Sequence, residues 1–383
     1  MMEKITKPPK KPEGVKRLLN TNDIHLLHKR VPTWHIVDVI REVLISCENT
    51  LDAFYIAGDL FDDSRHLRQE DSQEAVGFLT WLLQWSKATN TTVRIVEGTP
   101  SHDHGQSKIV ESLNISIGAD CLYLAGIGIF YDPALDAMVG WVQDEYKAAG
   151  VDEINAAATE AEMAELMATR GLEKLDFIFM HGCFQFQLPV ESPRSFHEEF
   201  WLPRVKHLIF IGHDHRPKEL DKIRVVGSPE RLSQGEEEDK GVALVDFTDT
   251  VARDYFLVNS RACPQKKIRA QEDFDAQLAA CLSALEYIDN HPSSAIGRFE
   301  VEYYAGSPMA EYVSRWKKEY TFHISGERVR SSEEEELLVK SFSNEAPVYE
   351  KPTPENFERL VLEELTSVKY DPDVVTAIIR KIE

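Results

Sequence analysis

The chain has 383 residues, enough for one large domain with one or two small ones, and its 43% hydrophobic content is enough to fill a core. No apolar run approaches the roughly 18 residues of a membrane span, and the opening MMEKITKPPKKPEG reads as a loose tail over 1–15 rather than a secretory signal. A net charge of −22, from 43 Lys and Arg against 65 Asp and Glu, argues against a protein that coats nucleic acid by itself, although bound metals can bring positive charge to one site.

Residues 16–22 read as a first buried strand leading into Asp23. Residues 34–48 carry Ile36, Val39, Ile40, Val43 and Leu44 at helical spacing. A strand over 52–57 stops at Gly58-Asp59, a second helix runs over about 69–87, and the strand 91–97 ends at Gly98. This βαβαβ order predicts an α/β fold with ligands just past the strand ends. Residues 121–131 suggest one or two strands, and 152–170 an Ala- and Glu-rich helix. The strand 175–180 delivers His181, and the strand 207–211 delivers His213 and His215. From Ile223 the chain reads as a meander completing a second sheet, so a two-sheet sandwich flanked by helices is expected over 16–258. CPQKK looks like a linker into a small α+β unit over 259–330: a helix at 274–290, then strand, helix and strand over 298–330. Two helical stretches are expected over 331–383. The acidic runs at 236–239 and 333–336 read as solvated surface. Five cysteines (Cys47, Cys121, Cys183, Cys263 and Cys281), odd in number and without C-x-x-C, fit reduced thiols in a cytoplasmic protein.

Chemistry-bearing residues fall in five blocks: Asp23 and His25 in NDIH, Asp59 in GDLFDD, His102 and Asp103 in GTPSHDH, His181 in MHG, and His213 and His215 in GHDH. Imidazoles and carboxylates from several strand ends suit a pair of hard-to-borderline divalent metals. Taken singly, Asp59 could be a helix N-cap and His181 and His213 satisfied core histidines; their shared order argues for ligands. Arg65, His66, Arg68 and His104 follow the motif loops and could contact substrate, against a default of solvated surface.

The order of blocks resembles that of the calcineurin-like metallophosphoesterases: D-x-H, G-D, G-N-H-D, a lone H, then G-H-x-H. The third block departs, because Ser101 stands where the family has Asn and the loop is two residues longer. Over 227–247 the chain resembles the SbcD-type nuclease subunits of SbcCD and MRN-type DNA repair complexes, through Gly227-Ser228, Arg231, Ser233, Lys240-Gly241 and Leu244-Val245. The resemblance covers about 16–258 well, and is weaker over 259–330, where the family has a capping domain. It is weakest over 331–383, where the family docks on the coiled coil of its ATPase partner.

The resemblance implies a metallophosphoesterase sandwich holding two Mn²⁺ ions: Asp23, His25 and His215 on the first, His181 and His213 on the second, and Asp59 on both. It places Ser101 at the second metal, with a water or Asn22 as substitutes. His102 becomes the general acid, oriented by Asp103 through its other ring nitrogen. A homodimer through helices near 34–48 and 69–87 is also implied. The activity expected is a Mn²⁺-dependent DNA nuclease, exonuclease on duplexes and endonuclease on single strands or hairpins, working with an SbcC-like ATPase. The alternatives are a small-molecule or cyclic-nucleotide phosphodiesterase and a binding module with a degenerate site.

Overall fold

The computed structural model describes residues 2–62, 70–190, 192–233 and 235–330. Arg65, His66, Arg68 and the ATPase-docking segment expected over 331–383 lie outside the described residues. In chain order the first half runs β1 (Glu3–Ile5), β2 (Lys16–Thr21), α1 (Thr33–Ser46), β3 (Ala53–Ala57), α2 (Glu70–Thr89), β4 (Thr92–Val96) and α3 (Pro100–Asp103). It continues with α4 (Ile109–Ile117), β5 (Cys121–Leu124), β6 (Ile127–Asp132), β7 (Ala137–Val142), α5 (Ala156–Thr169) and β8 (Leu175–His181). The second half runs α6 (Glu198–Trp201), β9 (Val205–Gly212), β10 (Lys218–Leu220), β11 (Ile223–Val225), β12 (Gly241–Phe247) and β13 (Ala252–Val258). Then come β14 (Gln265–Ile268), α7 (Phe274–Asp289), β15 (Arg298–Tyr304), α8 (Met309–Glu319) and β16 (His323–Val329).

Two mixed sheets face one another, one ordered β1-β13-β12-β2-β3-β4-β5 and the other β10-β11-β9-β8-β7-β6. Between them Tyr55 of β3 stacks on Phe179 of β8 with ring centroids 3.9 Å apart, and Phe210 of β9 extends the stack. Burying an aromatic or aliphatic side chain of this kind stabilises by about 1.5–3 kcal/mol. The outer face of the first sheet is covered by α1, α2 and α4, through Ile36, Ile40 and Leu44 of α1 and Phe78, Leu79 and Leu82 of α2. Helix α5 and Trp201 of α6 cover the second. Strand β3 is buried at all five positions, as a parallel strand covered on both faces must be.

Three sequence expectations change. Residues 3–5 are not loose: β1 pairs in parallel with the edge strand β13, Glu3 opposite Tyr255. The stretch after Ile223 does not stay in the second sheet. Of that stretch only β11 belongs to it, while β12 crosses over to pair antiparallel with both β2 and β13. All seven residues of β12 are buried, which suits its central place there. The supposed linker contains β14, which pairs in parallel with β15 and starts a third sheet, β14-β15-β16. That sheet has its own core with α7 and α8, including Leu285, Ile288, Phe299, Val313 and Trp316.

Candidate metal centre

Every candidate block sits at the C-terminal end of a strand of the two facing sheets: after β2, β3, β4, β8 and β9. Open α/β sheets gather their ligands there. The turns are sharp. Asp23, His25, Asp59 and His213 all have positive φ, at 52°, 52°, 48° and 97°. Such backbone costs of order 1–3 kcal/mol per residue and persists where the surroundings enforce it. Two glycines allow the loops to close. A Cβ on Gly58 would lie 2.0 Å from His181 Nδ1, and one on Gly98 would lie 2.0 Å from the Asp59 amide nitrogen.

Three groups of ligand-type atoms result here, each within 4.8 Å: Asp23, His25 and His215; Asp59, His181 and His213; and His25, Asp62 and His102. Asp59 reaches both, with Oδ2 3.2 Å from His181 Nε2 and 3.7 Å from His25 Nε2. Asp23 joins them from the other side, its Oδ1 3.6 Å from His181 Nε2 and accepting the His213 amide at 2.8 Å. Asn22 donates to Asp23 Oδ2 at 2.7 Å, so it orients that carboxylate.

The far nitrogen of each imidazole has an oxygen acceptor beside it. His181 Nδ1 lies 2.8 Å from the Ala57 carbonyl, His215 Nδ1 3.2 Å from Glu236, and His213 Nδ1 3.4 Å from Asp144. His25 Nδ1 lies 3.0 Å from Asp62 Oδ1, an ion-pair contact rather than an in-line hydrogen bond. Acceptors at Nδ1 fix the proton there and leave Nε2 as a bare lone pair, the arrangement that metal-binding histidines use. The Nε2 atoms of His25 and His215 are 3.1 Å apart, and the buried Nε2 of His181 has no hydrogen-bond partner. The first two can share a proton or, with both protons on Nδ1, a cation.

The electrostatics point the same way. Burial alone would depress the His181 pKa, but Asp59, Asp23 and Asp144 raise it well above the usual value. Burial would raise the Asp59 carboxyl, and His181 and His25 instead hold it well below the carboxylate range. A hydrogen bond to Asp144 raises His213. A field that retains a proton in this way also favours a metal cation.

Two expected roles move to other residues. Ser101 lies in α3 and is exposed, and it bonds no group of the site among the described residues. The short helix turns it outward. Thr99 stands at the centre instead: its hydroxyl donates to Asp144 at 2.8 Å and lies 3.3 Å from Asp59 Oδ2, while its amide donates to Asp59 Oδ1 at 2.6 Å. Asp103 does not orient His102. It is fully buried and accepts the amides of Phe61 at 2.9 Å and Gly98 at 2.8 Å, clamping the loops after β3 and β4 together. Burial, then Glu97 and Asp59, push its carboxyl up to about 8. The group beside His102 is Asp62, whose carbonyl and carboxylate lie 3.2 and 3.6 Å from Nδ1.

Sequence reasoning passed over three carboxylates. Asp62 was visible within GDLFDD. Asp144 follows β7 by two residues, the same strand-end position that flagged the others. Glu236 belongs to the acidic run expected to be solvated, yet it is 3% exposed. It accepts the Leu232 and Ser233 amides and pairs with Lys240 Nζ at 2.7 Å. Lys240, also buried, donates to the His215 carbonyl at 2.7 Å. The lysine offsets the cost of the buried carboxylate, which is held down to about 2 against the effect of burial by His215 and Lys240. Cys183 is half-buried with its thiol pushed up to about 12 by burial, so it is a packing residue rather than a thiolate ligand.

Imidazole nitrogens with carboxylate oxygens, an orphaned buried Nε2 and glycine-cleared loops fit a pair of divalent metals. No family model and no curated protein matches this sequence. Among the solved structures similar to it, one has a TM-score of 0.38 and 9% identity, over 63% of this chain and 99% of the other. A likeness of that size bears on neither fold family nor function.

Proposed function

We propose that the protein is a metal-dependent phosphodiesterase that cleaves DNA, a nuclease using two Mn²⁺ ions. The observation that carries this is the set of four imidazoles, each with an oxygen beside its Nδ1, converging with Asp23 and Asp59. In this reading Asp23, His25 and His215 hold the first cation, His181 and His213 the second, and Asp59 serves both, with Thr99 replacing Ser101 beside the second. Bound there, the cations lower the pKa of solvent and offset charge on the phosphate oxygens. The chain's own residues do the rest. Asp62, Asp144, Glu236 and the Ala57 carbonyl fix the imidazole tautomers. His102, half-exposed at the mouth beside His25 with ring centroids 5.0 Å apart, is placed to give a proton to the leaving oxygen. Asp62 keeps that ring turned toward the site. The sequence over 227–247 supports DNA as substrate in an SbcCD-like complex. Exposed Trp34 and Ile45 on α1 suit the expected homodimer.

A second reading has one observation in its favour. A cavity of about 210 Å³, lined by Thr99, Asp144, Tyr146, Phe196 and His213, adjoins the centre and is sized for a small molecule. Labelled duplex and hairpin DNA, with bis-p-nitrophenyl phosphate alongside, separate the two. Mn²⁺-dependent cleavage of DNA, lost in His181→Ala, is expected. Cleavage of the small diester with none of DNA moves the assignment to a small-molecule phosphodiesterase, and no metal uptake at all removes both readings.

A further inference from the structure

The third ligand-type group, His25, Asp62 and His102, is only half used by a pair of cations. His25 turns Nε2 toward His215, 3.1 Å from the facing Nε2, and so presents Nδ1 on its other side. That Nδ1 lies 3.0 Å from Asp62 Oδ1, and the Nδ1 of His102 lies 3.6 Å from the same oxygen. The two rings stand edge to face, with an interplanar angle of 86°.

His25 is 1% exposed, yet its Nδ1 is buried with no hydrogen-bond partner. The Asp62 oxygen is near enough to accept from it but lies off the line of the N–H. A buried polar atom left in that state costs about 1–3 kcal/mol. Ligands of a common cation show this same mismatch, because each aims at the ion rather than at the other ligand. Atoms held about 2.0–2.1 Å from a tetrahedral Zn²⁺ lie about 3.3 Å from one another. The two separations from Asp62 Oδ1 bracket that value. Two imidazoles with one carboxylate also suit Zn²⁺ better than Mn²⁺, which favours oxygen. Asp62 and His102 are both half-exposed, so the position opens to solvent and has room for a water as fourth ligand.

We infer that His25, Asp62 and His102 form a third cation site, for Zn²⁺, at the mouth of the metal centre. Zn²⁺ bonds His25 Nδ1 in place of its proton, which leaves to solvent, and the ring then joins this ion through Nδ1 to the first cation through Nε2. It also bonds Asp62 Oδ1 and His102 Nδ1, a nitrogen that otherwise leans on the Asp62 carbonyl at 3.2 Å. Repulsion from the first cation across the shared ring makes this the weakest of the three sites. A His102 ring tied to Zn²⁺ loses the nitrogen at which it takes up the proton that it passes on, so filling the site lowers turnover. That inhibition rests on the phosphodiesterase reading; the binding itself does not.

The test titrates the metal-free full chain with Zn²⁺ in a calorimeter and locates the ions by anomalous scattering from Zn²⁺-soaked crystals. Three ions are expected, the third the weakest, with a peak between His25, Asp62 and His102. His102→Ala is expected to keep two ions and a native melting temperature and to lose the third ion. Asp62→Asn is expected to bind the third about tenfold more weakly or worse. Only two ions in the wild type, a third ion elsewhere, or a third ion that His102→Ala retains each overturns the inference. With Mn²⁺ in large excess, added Zn²⁺ is expected to lower turnover of bis-p-nitrophenyl phosphate to the level of His102→Ala, and to leave that variant's residual turnover unchanged. Equal loss in both proteins means that Zn²⁺ replaces Mn²⁺ in the pair, and removes the inhibitory role. A protein that takes the third ion but cleaves no diester keeps the site and defeats the phosphodiesterase reading; one that cleaves the diester but takes only two ions does the reverse.

Discussion

Replacing Glu236 by Gln tests the centre without touching a proposed ligand. In the native chain one carboxylate oxygen lies 3.2 Å from His215 Nδ1 and the other 2.7 Å from Lys240 Nζ. The substitution keeps the shape and removes the charge. Two losses of different origin follow. Lys240, whose side chain is wholly buried, is left without a counter-ion, and breaking a buried pair on one side costs about 3–5 kcal/mol. His215 faces a neutral amide in place of the carboxylate behind its Nδ1, and losing such a charged partner typically weakens metal affinity about 10–100-fold, or about 1.4–2.7 kcal/mol. Urea unfolding of the metal-free protein reads the first loss, and calorimetric Mn²⁺ titration reads the second. A double variant, Glu236→Gln/Lys240→Met, removes the stranded charge. It is expected to regain most of the stability while one Mn²⁺ site stays weak and the other keeps wild-type affinity. If Glu236→Gln binds both ions as tightly as the wild type, the carboxylate does not act through His215 and the reasoning fails.

The remaining expectations concern pH, proton donation and loop closure. In the metal-free protein Glu236 and Asp144 are each held down to about 2, against about 4 when unfolded. Depressed carboxyls contribute fully above the unfolded value, so denaturation free energy should fall between about pH 4 and pH 2, and less steeply in Glu236→Gln. His181 and His213, raised by their carboxylate partners, have the opposite sign: their contribution is lost as pH climbs through the folded values, and added Mn²⁺ should restore it. His102→Ala and Asp62→Asn are expected to lower kcat on bis-p-nitrophenyl phosphate, His102→Ala with both metals still bound. Asp103→Asn loses one of its two acceptors and should instead lower stability by about 1–3 kcal/mol, seen in the melting curve. Gly98→Ala would place a carbon 2.2 Å from Asp59 Oδ1, so metal uptake should disappear in a titration even where circular dichroism stays native.

The order of the candidate ligands was readable because each block follows a strand, and apolar strands with a polar stop are local signals. Asp23, His25, Asp59, His181, His213 and His215 accordingly lie together in space. Ser101 was misplaced because its position was counted back from His102, as the motif suggested. Pro100 at the first helical position signals that a turn of helix begins there, which leaves Thr99 facing inward. Asp103 resembled a catalytic partner because it adjoins His102 in sequence, but neighbours on a helix do not face each other. Glu236 was hidden for a tertiary reason. Nothing local distinguishes it from Glu237 or Glu238; only the return of the turn onto Lys240 and His215 buries it. The crossover of β12 has the same character, since a strand that is apolar at every position but Asp246 declares burial without declaring a sheet.

The three residues of β1 have a practical consequence. They occupy the rim of the larger sheet, along Tyr255, Phe256 and Leu257, where an open row of amides and carbonyls would otherwise invite another chain to add on. Trimming the amino terminus, or fusing a bulky tag directly ahead of it, would strip that guard. Material prepared in this way should clump along that rim, and the resulting loss of protein would be easy to misread as damage to the candidate centre.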